Sequence, residues 1–504
     1  MRSFIPAAVA VLPAVLARPQ NFNGGFGGFG GIQGDQGGSG PDSGTYSHGG
    51  VGGGFQTIGG LRGSQPMQSA SNGYGGDSSP QETATATSDS FPAYYTDSAS
   101  STSSIGYNHV QASGSSGSYG YSSASAAATV TATGSGTKAT AASGSGGSAI
   151  SSLAGGSGVG GTTCTVTELS QVTASVSACS NVLLSGVTIP ASSTLSVTVP
   201  SGGALLFAGT MTVEYTPDSE YTPIVLKGSN AKIAGLAGAV IDGQGSKYWD
   251  GQGSNGGTDK PDHFFKLSDM ESSTLEQLTI QNWPTHLFSI NGCTDMTISN
   301  VILDNSAGDE EDSDGDALGH NTDAFDVSST DGLHITSATV YNQDDCVAVN
   351  SGSNMVFENM YCSGGHGLSI GSVDSGVTIS NVTFTDSSVV KSKNACRIKT
   401  DADGSDSTVS DITYSNIVVS DITDYAIDIQ QDYENGSPTG DPTTGITISG
   451  VTFSSITGSV SGDDAYSYYI LCGSTSSCED FTFTDIDISG GQTECEPDAS
   501  LCPS

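Results

Sequence analysis

Positive charge is scarce in this sequence of 504 residues. Only 13 residues are Lys or Arg, against 52 Asp and Glu, and the formal net charge is −39. Residues 162–504 hold nine of the basic and 46 of the acidic residues, a net charge of −37. Proteins that bind nucleic acid neutralise its phosphates with Lys and Arg. The composition therefore excludes a nucleic-acid partner.

Long apolar runs are missing as well. The apolar stretch from Phe4 to Leu16 is shorter than the ~20 residues that span a bilayer, so no integral membrane protein is expected. Arg2 precedes this stretch and Ala17 ends a small-residue cleavage pattern. Residues 1–17 therefore resemble a secretory signal peptide, and we expect a secreted, extracellular protein.

Large aliphatic residues are rare in residues 18–161, which consist mainly of Gly, Ser, Thr and Ala. Such a segment cannot bury enough apolar surface to offset the loss of chain entropy on folding. We expect a disordered tail that acts as a flexible spacer. The alternative is an arm that associates with a wall or surface through its scattered tyrosines.

Cysteine is absent before residue 162, and none of the ten cysteines beyond it forms a Cys-x-x-Cys pair. This pattern argues against zinc, and secretion makes disulfides the expected state. We predict no metal and no cofactor. Asn381 and Asn435 begin Asn-x-Ser/Thr sequons and are predicted glycosylation sites.

Short β-branched segments with a ten-residue repeat fill residues 162–504, and helical periodicity is almost absent. Each unit alternates apolar and polar residues, turns at a small or Asn/Asp residue, and alternates again. Units begin at Met296, Leu333, Met355, Val377, Ile412, Ile446 and Phe481, three of them 22 residues apart. Stacked units of this kind make a continuous core, so we predict an all-β, right-handed parallel β-helix. A β-sandwich fits the 22-residue spacing poorly.

Three carboxylates recur at the spacing of this repeat. The pair Asp344-Asp345 follows Asp323 by 21 residues, about one turn, so the three should lie close together. Acidic residues at such turns are usually solvated, or they bind Ca²⁺. Three at close range cannot all ionise cheaply, however, which suits a general acid beside a general base.

Further polar residues continue the stripe. His366 lies one repeat beyond the acidic pair, and the flanking Gly365 and Gly367 suggest backbone cleared for a ligand. Arg397 and Lys399 belong to a group of four basic residues within nine positions, and period two places both on one strand face. On so acidic a body, this patch indicates that an anion is bound there; the alternative is that it neutralises nearby aspartates.

Four ordered motifs resemble the signatures of the polygalacturonases, glycoside hydrolase family 28. They are NTDAFDV (321–327), NQDDCVAVNSG (342–352), GGHGLSIGSV (364–373) and RIKT (397–400). The resemblance runs from about Cys164 to the C-terminus and favours the fungal endo-acting members. Asp374 departs from the family pattern, as does an acidic loop at 309–316 that should project near the cleft. We expect this loop to be solvated without consequence; the alternatives are that it repels a polyanion or binds Ca²⁺ weakly.

The resemblance implies hydrolysis of the pectic polysaccharide polygalacturonate with inversion. We expect the secreted protein to act as a monomer. The resemblance further implies that Asp344 is the general acid, that Asp323 and Asp345 are the bases, and that His366 tunes the acid. Arg397 and Lys399 would bind galacturonate carboxylates, with Asn321 and Tyr433 as further binding residues. The implied disulfides are Cys164–Cys179, Cys346–Cys362, Cys472–Cys478 and Cys495–Cys502, which leave Cys293 and Cys396 as buried thiols or an extra bridge.

Three other functions are weighed against this one. An exo-acting enzyme would usually carry cleft-blocking insertions, and none is obvious after Asp345. A pectate lyase would need Ca²⁺ and an unpaired Arg. A non-catalytic β-helix adhesin would have no reason to place three carboxylates and a basic pair in one stripe.

Overall fold

The computed structural model of the protein describes residues 160–434, 437–462 and 464–503. The predicted signal peptide, nearly all of the predicted tail and the Asn435 sequon lie outside these ranges, and each stays a prediction. No helix in the described ranges is long and apolar enough to cross a membrane.

Three columns of parallel strands wrap around one core, as predicted for a parallel β-helix. Sheet A comprises β4 (Leu195–Val199), β7 (Ile224–Ser229), β10 (His263–Glu271), β13 (His286–Asn291), β16 (Phe325–Ser328), β19 (Val347–Val349), β22 (Leu368–Val373), β24 (Asn394–Asp401), β26 (Tyr425–Glu434), β29 (Tyr466–Leu471) and β33 (Gln492–Glu496). Sheet B comprises β1 (Thr163–Val166), β2 (Asn181–Ser185), β5 (Ala204–Ala208), β8 (Lys232–Gly235), β11 (Thr274–Glu276), β14 (Thr294–Ser299), β17 (Thr330–Thr336), β20 (Gly352–Glu358), β30 (Cys478–Glu479) and β31 (Thr482–Thr484).

Sheet C closes each turn. It comprises β3 (Thr188–Ile189), β6 (Thr210–Val213), β9 (Val240–Asp242), β12 (Thr279–Gln281), β15 (Ile302–Asp304), β18 (Thr339–Tyr341), β21 (Tyr361–Ser363) and β32 (Asp487–Ser489). Three long strands serve sheets B and C in turn: β23 (Thr378–Val390), β25 (Ser407–Ile422) and β28 (Ile446–Val460). The two-residue β27 (Ser437–Pro438) pairs antiparallel with the end of β26.

The interior is filled by the apolar half of each alternating strand. Because parallel strands stack in register, like residues meet on successive turns. Phe357, Phe384, Tyr414 and Phe453 form one such ladder, with ring centroids 4.8 to 5.1 Å apart. The Tyr414 hydroxyl donates to the Arg397 carbonyl oxygen at 2.9 Å, which ties this ladder to sheet A.

The predicted start of one repeat unit, at Val377, is wrong by five residues. Met355 pairs with Val382, and the unit placed at Ile446 is displaced by the same amount. Both segments hold two successive alternating stretches, VTISN-VTFTD and ITISG-VTFSS, so the apolar pattern fits either one. The choice between them depends on core rings that meet only in the folded chain.

The ends and turns are closed by covalent and polar links. Helix α1 (Val172–Ala178) packs near the first strands and buries Val172. Disulfides join the four cysteine pairs that the family resemblance implies: Cys164–Cys179, Cys346–Cys362, Cys472–Cys478 and Cys495–Cys502. Cys293 and Cys396 are buried free thiols. Asn381 is exposed in β23, and its side-chain amide donates to Asn354; its glycosylation stays a prediction.

Candidate active site

Successive turns of sheet A bring the three predicted carboxylates together. Asp323 lies just before β16, and the Asp344-Asp345 pair lies just before β19, which stacks on it. The Ala324 amide donates to the Asp345 carbonyl oxygen at 3.0 Å, and the His366 amide donates to that of Asp344 at 2.8 Å. The spacing of about one repeat therefore does place these side chains on neighbouring turns.

Asp344 is held from both sides. The imidazole Nδ1 of His366 lies 2.8 Å from Oδ1 of Asp344. The side-chain amide of Asn321 donates to Oδ2 of Asp344 at 3.1 Å. The backbone amide of Asp345 also donates to Oδ1, at 2.8 Å. Asn321, predicted to bind substrate, thus contacts the predicted acid directly. These contacts fix the direction in which the Asp344 carboxyl group points.

Asp345 is the most buried of the three, with 1% of its surface exposed. The Ser369 hydroxyl donates to its Oδ1 at 2.6 Å, and the Lys399 ammonium donates to its Oδ2 at 2.8 Å. Both oxygens are therefore bound, and the negative charge is compensated by a buried cation.

Asp323 has the opposite environment. No group in the described ranges lies within hydrogen-bonding distance of its buried Oδ1. Its nearest basic atom is Nε2 of His286, 3.7 Å away. Burial raises the pKa of Asp323 well above its usual range, and the charge of Asp344 raises it further.

The pKa of Asp344 moves the other way. Burial alone would raise it, but the charge and hydrogen bond of His366, assisted by Lys399, lower the pKa below its usual range. Interacting carboxyl groups titrate as a unit, so the cluster as a whole binds and releases these protons. In the absence of substrate, the proton of the cluster is therefore favoured on Asp323 rather than on Asp344.

The predicted basic pair lies on β24, with both side chains buried and each exposing 6% of its surface. The Arg397 Nε donates to Asp428 at 3.1 Å, while Lys399 pairs with Asp345. The ring centroid of Tyr433 lies 5.5 Å from the guanidinium and 5.1 Å from the ammonium. Both cations are thus held in place by acids and by one aromatic face.

The glycines beside His366 have a different role from the one predicted. A Cβ at Gly365 would clash with the Asp344 carbonyl oxygen, and one at Gly367 would clash with that of Asn394. Close packing of the turns therefore requires both glycines. They make room for the backbone of neighbouring turns, and this role does not depend on a ligand at His366.

Several residues of the site were not found from the sequence. Ser369 donates to Asp345, and Asp428 accepts from Arg397. The turns before Asp323 carry three more such residues: Asp262, His263 and His286. His263 and His286 are 23 residues apart, and this spacing could have identified them. They lie outside the recognised motifs, however, in a part of the repeat that looks purely structural.

Within the described ranges, two groups of side chains offer donor atoms close enough together for a metal ion. One is Asp344, Asp345 and His366; the other is Asp262, His263 and His286. In the first group, the Asp345 oxygens are already bound by Ser369 and Lys399. That pattern is typical of an acid–base site with internal counter-ions, which does not call for a metal.

Comparison with known proteins decides the family. The model for glycosyl hydrolases family 28 matches residues 179–500. The chain belongs to this family. The predicted resemblance is thereby confirmed, and family 28 membership favours a glycoside hydrolase over a lyase or an adhesin.

Relatives of this family 28 chain extend the comparison. It is 51% identical over 361 residues to endopolygalacturonase D of Aspergillus niger, covering 70% of this chain and 72% of that protein. It is 46% identical over 350 residues to a polygalacturonase of Fusarium fujikuroi, covering 68% and 93% respectively. The solved structure of endopolygalacturonase I from Stereum purpureum, complexed with two galacturonate, is 32% identical with a TM-score of 0.57. That match covers 66% of this chain and 99% of the other.

Proposed function

We propose that the protein is an endo-acting polygalacturonase that hydrolyses α-1,4 galacturonosyl linkages with inversion. The observation that carries this proposal is the stack of three buried carboxylates, Asp323, Asp344 and Asp345, beside the buried cations Arg397 and Lys399. The names of the relatives support the same substrate.

Asp344 is proposed to protonate the glycosidic oxygen. Its carboxyl is held by His366 and Asn321, so its proton can be directed at one place. The pKa of Asp344 is low in the free enzyme, because His366 favours the charged form. A galacturonate anion bound nearby would favour the protonated form, since like charges raise the pKa of a carboxyl group.

Asp323 is proposed to deprotonate the attacking water, and Asp345 to help position it. Among the described residues, one oxygen of Asp323 has no hydrogen-bond partner, whereas both oxygens of Asp345 are bound. In an inverting glycosidase the base activates a water molecule on the opposite face of the sugar from the acid. Asp323 and Asp344 lie on adjacent turns, next to β16 and β19, and this arrangement supports these roles.

The substrate carboxylates are proposed to meet Arg397 and Lys399, with the ring of Tyr433 beside both charged groups. Both cations have N–H donors beyond those already engaged, because a guanidinium carries five N–H donors and an ammonium three. The remaining donors can bind a galacturonate carboxylate without the loss of Asp428 or Asp345.

Secretion and a monomeric state are part of the proposal. Four disulfides support an oxidising, extracellular destination. The predicted signal peptide at residues 1–17 would direct the chain there.

Product analysis on polygalacturonate tests the function. A ladder of oligomers with the β-anomer formed first is the expected result; monomer alone would indicate an exo-acting enzyme. An unsaturated, UV-absorbing product that disappears with chelator would indicate a lyase. Activity should peak in mildly acidic solution, because lower pH both preserves the Asp344 proton and weakens repulsion between the acidic body and the polyanion.

A further inference from the structure

A histidine pair occupies the two turns that precede the carboxylate stack. His263 on β10 is paired in register with His286 on β13, with ring centroids 5.1 Å apart. β13 in turn pairs with β16, next to Asp323. The pair therefore lies on the opposite side of Asp323 from Lys399 and Arg397. None of the proposed roles uses it.

The two imidazoles are bound differently. Both ring nitrogens of His263 contact carboxylates, Nδ1 that of Asp262 at 2.7 Å and Nε2 that of Asp326 at 3.2 Å. In His286, Nδ1 lies 2.9 Å from the Asp262 carbonyl oxygen. A carbonyl oxygen only accepts, so Nδ1 of His286 must carry a proton. Its Nε2 is left to face Asp323.

The Nε2 of His286 and the Oδ1 of Asp323 are 3.7 Å apart, and this Oδ1 has no hydrogen-bond partner among the described residues. The distance exceeds that of a hydrogen bond by less than 1 Å. A buried carboxylate oxygen without a partner is costly, and a small ring movement would supply one.

We propose that His286, oriented by Asp262, is a positioning residue for Asp323: its protonated ring favours the ionised form of this carboxylate and directs its second oxygen at the water. The proposal rests on the proposed role of Asp323 as the base. It assigns the histidine a part in proton placement, with no contact to the substrate.

The surrounding charges support a protonated His286 in mildly acidic solution. Burial would lower its pKa, but the hydrogen bond to Asp262 and the charges of Asp323 and Asp326 raise the pKa well above its usual value. The nearby ring of His263 is itself held between Asp262 and Asp326. Acidic groups thus face His286 from both neighbouring turns.

The effect on Asp323 has a definite sign. Burial and the charges of Asp344 and Asp326 raise the pKa of Asp323, and the charge of His286 lowers it. Turnover needs the proton on Asp344 and an ionised Asp323. Without the cation, the shared proton moves further toward Asp323, so a smaller fraction of the enzyme is in the productive state.

The test is the pH dependence of His286→Gln on polygalacturonate. We expect kcat at the optimum to fall about tenfold for each unit by which the pKa of Asp323 rises, with KM changed less than about twofold. The alkaline limb of kcat/KM should move to higher pH, because Asp323 holds the last proton of the cluster. A profile of unchanged shape, whether lower or equal in height, would overturn the proposal.

Three variants keep the test decisive. Asp262→Asn removes a carboxylate 3.6 Å from the ring and should shift the limb in the same direction by less; it decides the matter if His286→Gln does not fold. His334→Gln is the matched control, since His334 pairs with Glu358 at 3.1 Å on sheet B and should leave the profile unchanged. Asp323→Asn tests the role of the base itself. If it stays active, that role is wrong; if it is inactive while His286→Gln has the wild-type profile, only the present inference fails.

Discussion

The two sides of the carboxylate stack hold their acids in different ways. On the lysine side, defined by Asp345, Arg397 and Lys399, every charge has a close partner, such as the 2.8 Å pair between Lys399 and Asp345. On the histidine side, defined by Asp262, His263, His286 and Asp323, the nearest cation is 3.7 Å from Asp323.

This difference separates binding from proton transfer. A fully paired carboxylate such as Asp345 is fixed in place, which suits it to organise bound substrate and water. A loosely paired, buried carboxylate such as Asp323 changes its pKa with small changes around it. Each side can therefore be disturbed separately, and the predictions below do so in order of decreasing effect.

Asp344 lies between the two sides, and its loss should have the largest effect. Asp344→Asn should lower kcat by about 10²–10⁴-fold or more, because an amide cannot donate the proton that the leaving oxygen needs. Steady-state kinetics on polygalacturonate measure this, and binding of oligogalacturonate should persist. Retention of more than about a tenth of wild-type activity would show that another group is the acid.

Lys399→Ala tests the lysine side. A charge-assisted hydrogen bond contributes about 1.5–3 kcal/mol, so KM on polygalacturonate should rise about 10- to 100-fold. Highly esterified pectin should suffer less, because its sugars lack the charge that Lys399 binds. Lys393→Ala, at an exposed position near the start of β24, is the control and should change neither substrate. An equal loss on both substrates would mean that Lys399 acts only by supporting Asp345.

Asp401 ends β24, the strand that carries Arg397 and Lys399, and its protonation should affect the free energy of unfolding. Burial raises its pKa to about 6, with the charges of Asp374 and Asp403 adding to the effect. A carboxyl group whose pKa is raised on folding contributes stability below its unfolded value near 4, and this is lost as pH rises through about 6. The free energy of unfolding should therefore fall between about pH 4 and 6, and Asp401→Asn should flatten that fall.

Denaturant unfolding across this pH range provides the measurement. Asp386→Asn is the matched control, because hydrogen bonds from Asn416 and Thr385 lower the pKa of Asp386. Its stabilisation is present above the unfolded pKa near 4 and is lost below it, so it cannot flatten the fall at higher pH. An Asp401→Asn curve parallel to that of the wild type would contradict the prediction.

The smallest effect is expected in the acidic loop at 309–316. The side-chain amide of Gln343 donates to the Asp309 carboxylate at 2.7 Å. The loop therefore lies beside Gln343, which directly precedes Asp344. Neutralising Glu310, Glu311 and Asp314 should raise kcat/KM on polygalacturonate about two- to threefold at low salt, since exposed charges contribute well under 1 kcal/mol each.

The gain should shrink near 0.3 M salt, where screening acts within about 6 Å. Asp312 is left intact in this variant because its carboxylate accepts the backbone amides of Asp314 and Asp316 at 2.8 and 3.1 Å. Identical salt profiles for variant and wild type would show that the loop does not sense the substrate.

The motifs alone predicted which side chains share the stack. A residue spacing close to one turn places Asp323, the Asp344 pair and His366 on adjacent turns, because parallel strands keep their register. The same reasoning failed for the unit at Val377, where two alternating stretches follow each other and the pattern cannot choose between them. The motifs also did not identify Asp428, because its partner Arg397 is 31 residues away in sequence, on the neighbouring strand of sheet A.

Local sequence thus determined the β-helix through its periodicity and the residues of the stack through short motifs. The four disulfide pairs were implied by the family resemblance that those motifs carry. Only the tertiary structure decided how the proton is shared. The opposite pKa shifts of Asp323 and Asp344 depend on burial and on which cation reaches which oxygen, and His286 enters that balance from a different turn. Such distances of a few ångströms are set by the packing of whole turns, which no stretch of sequence records by itself.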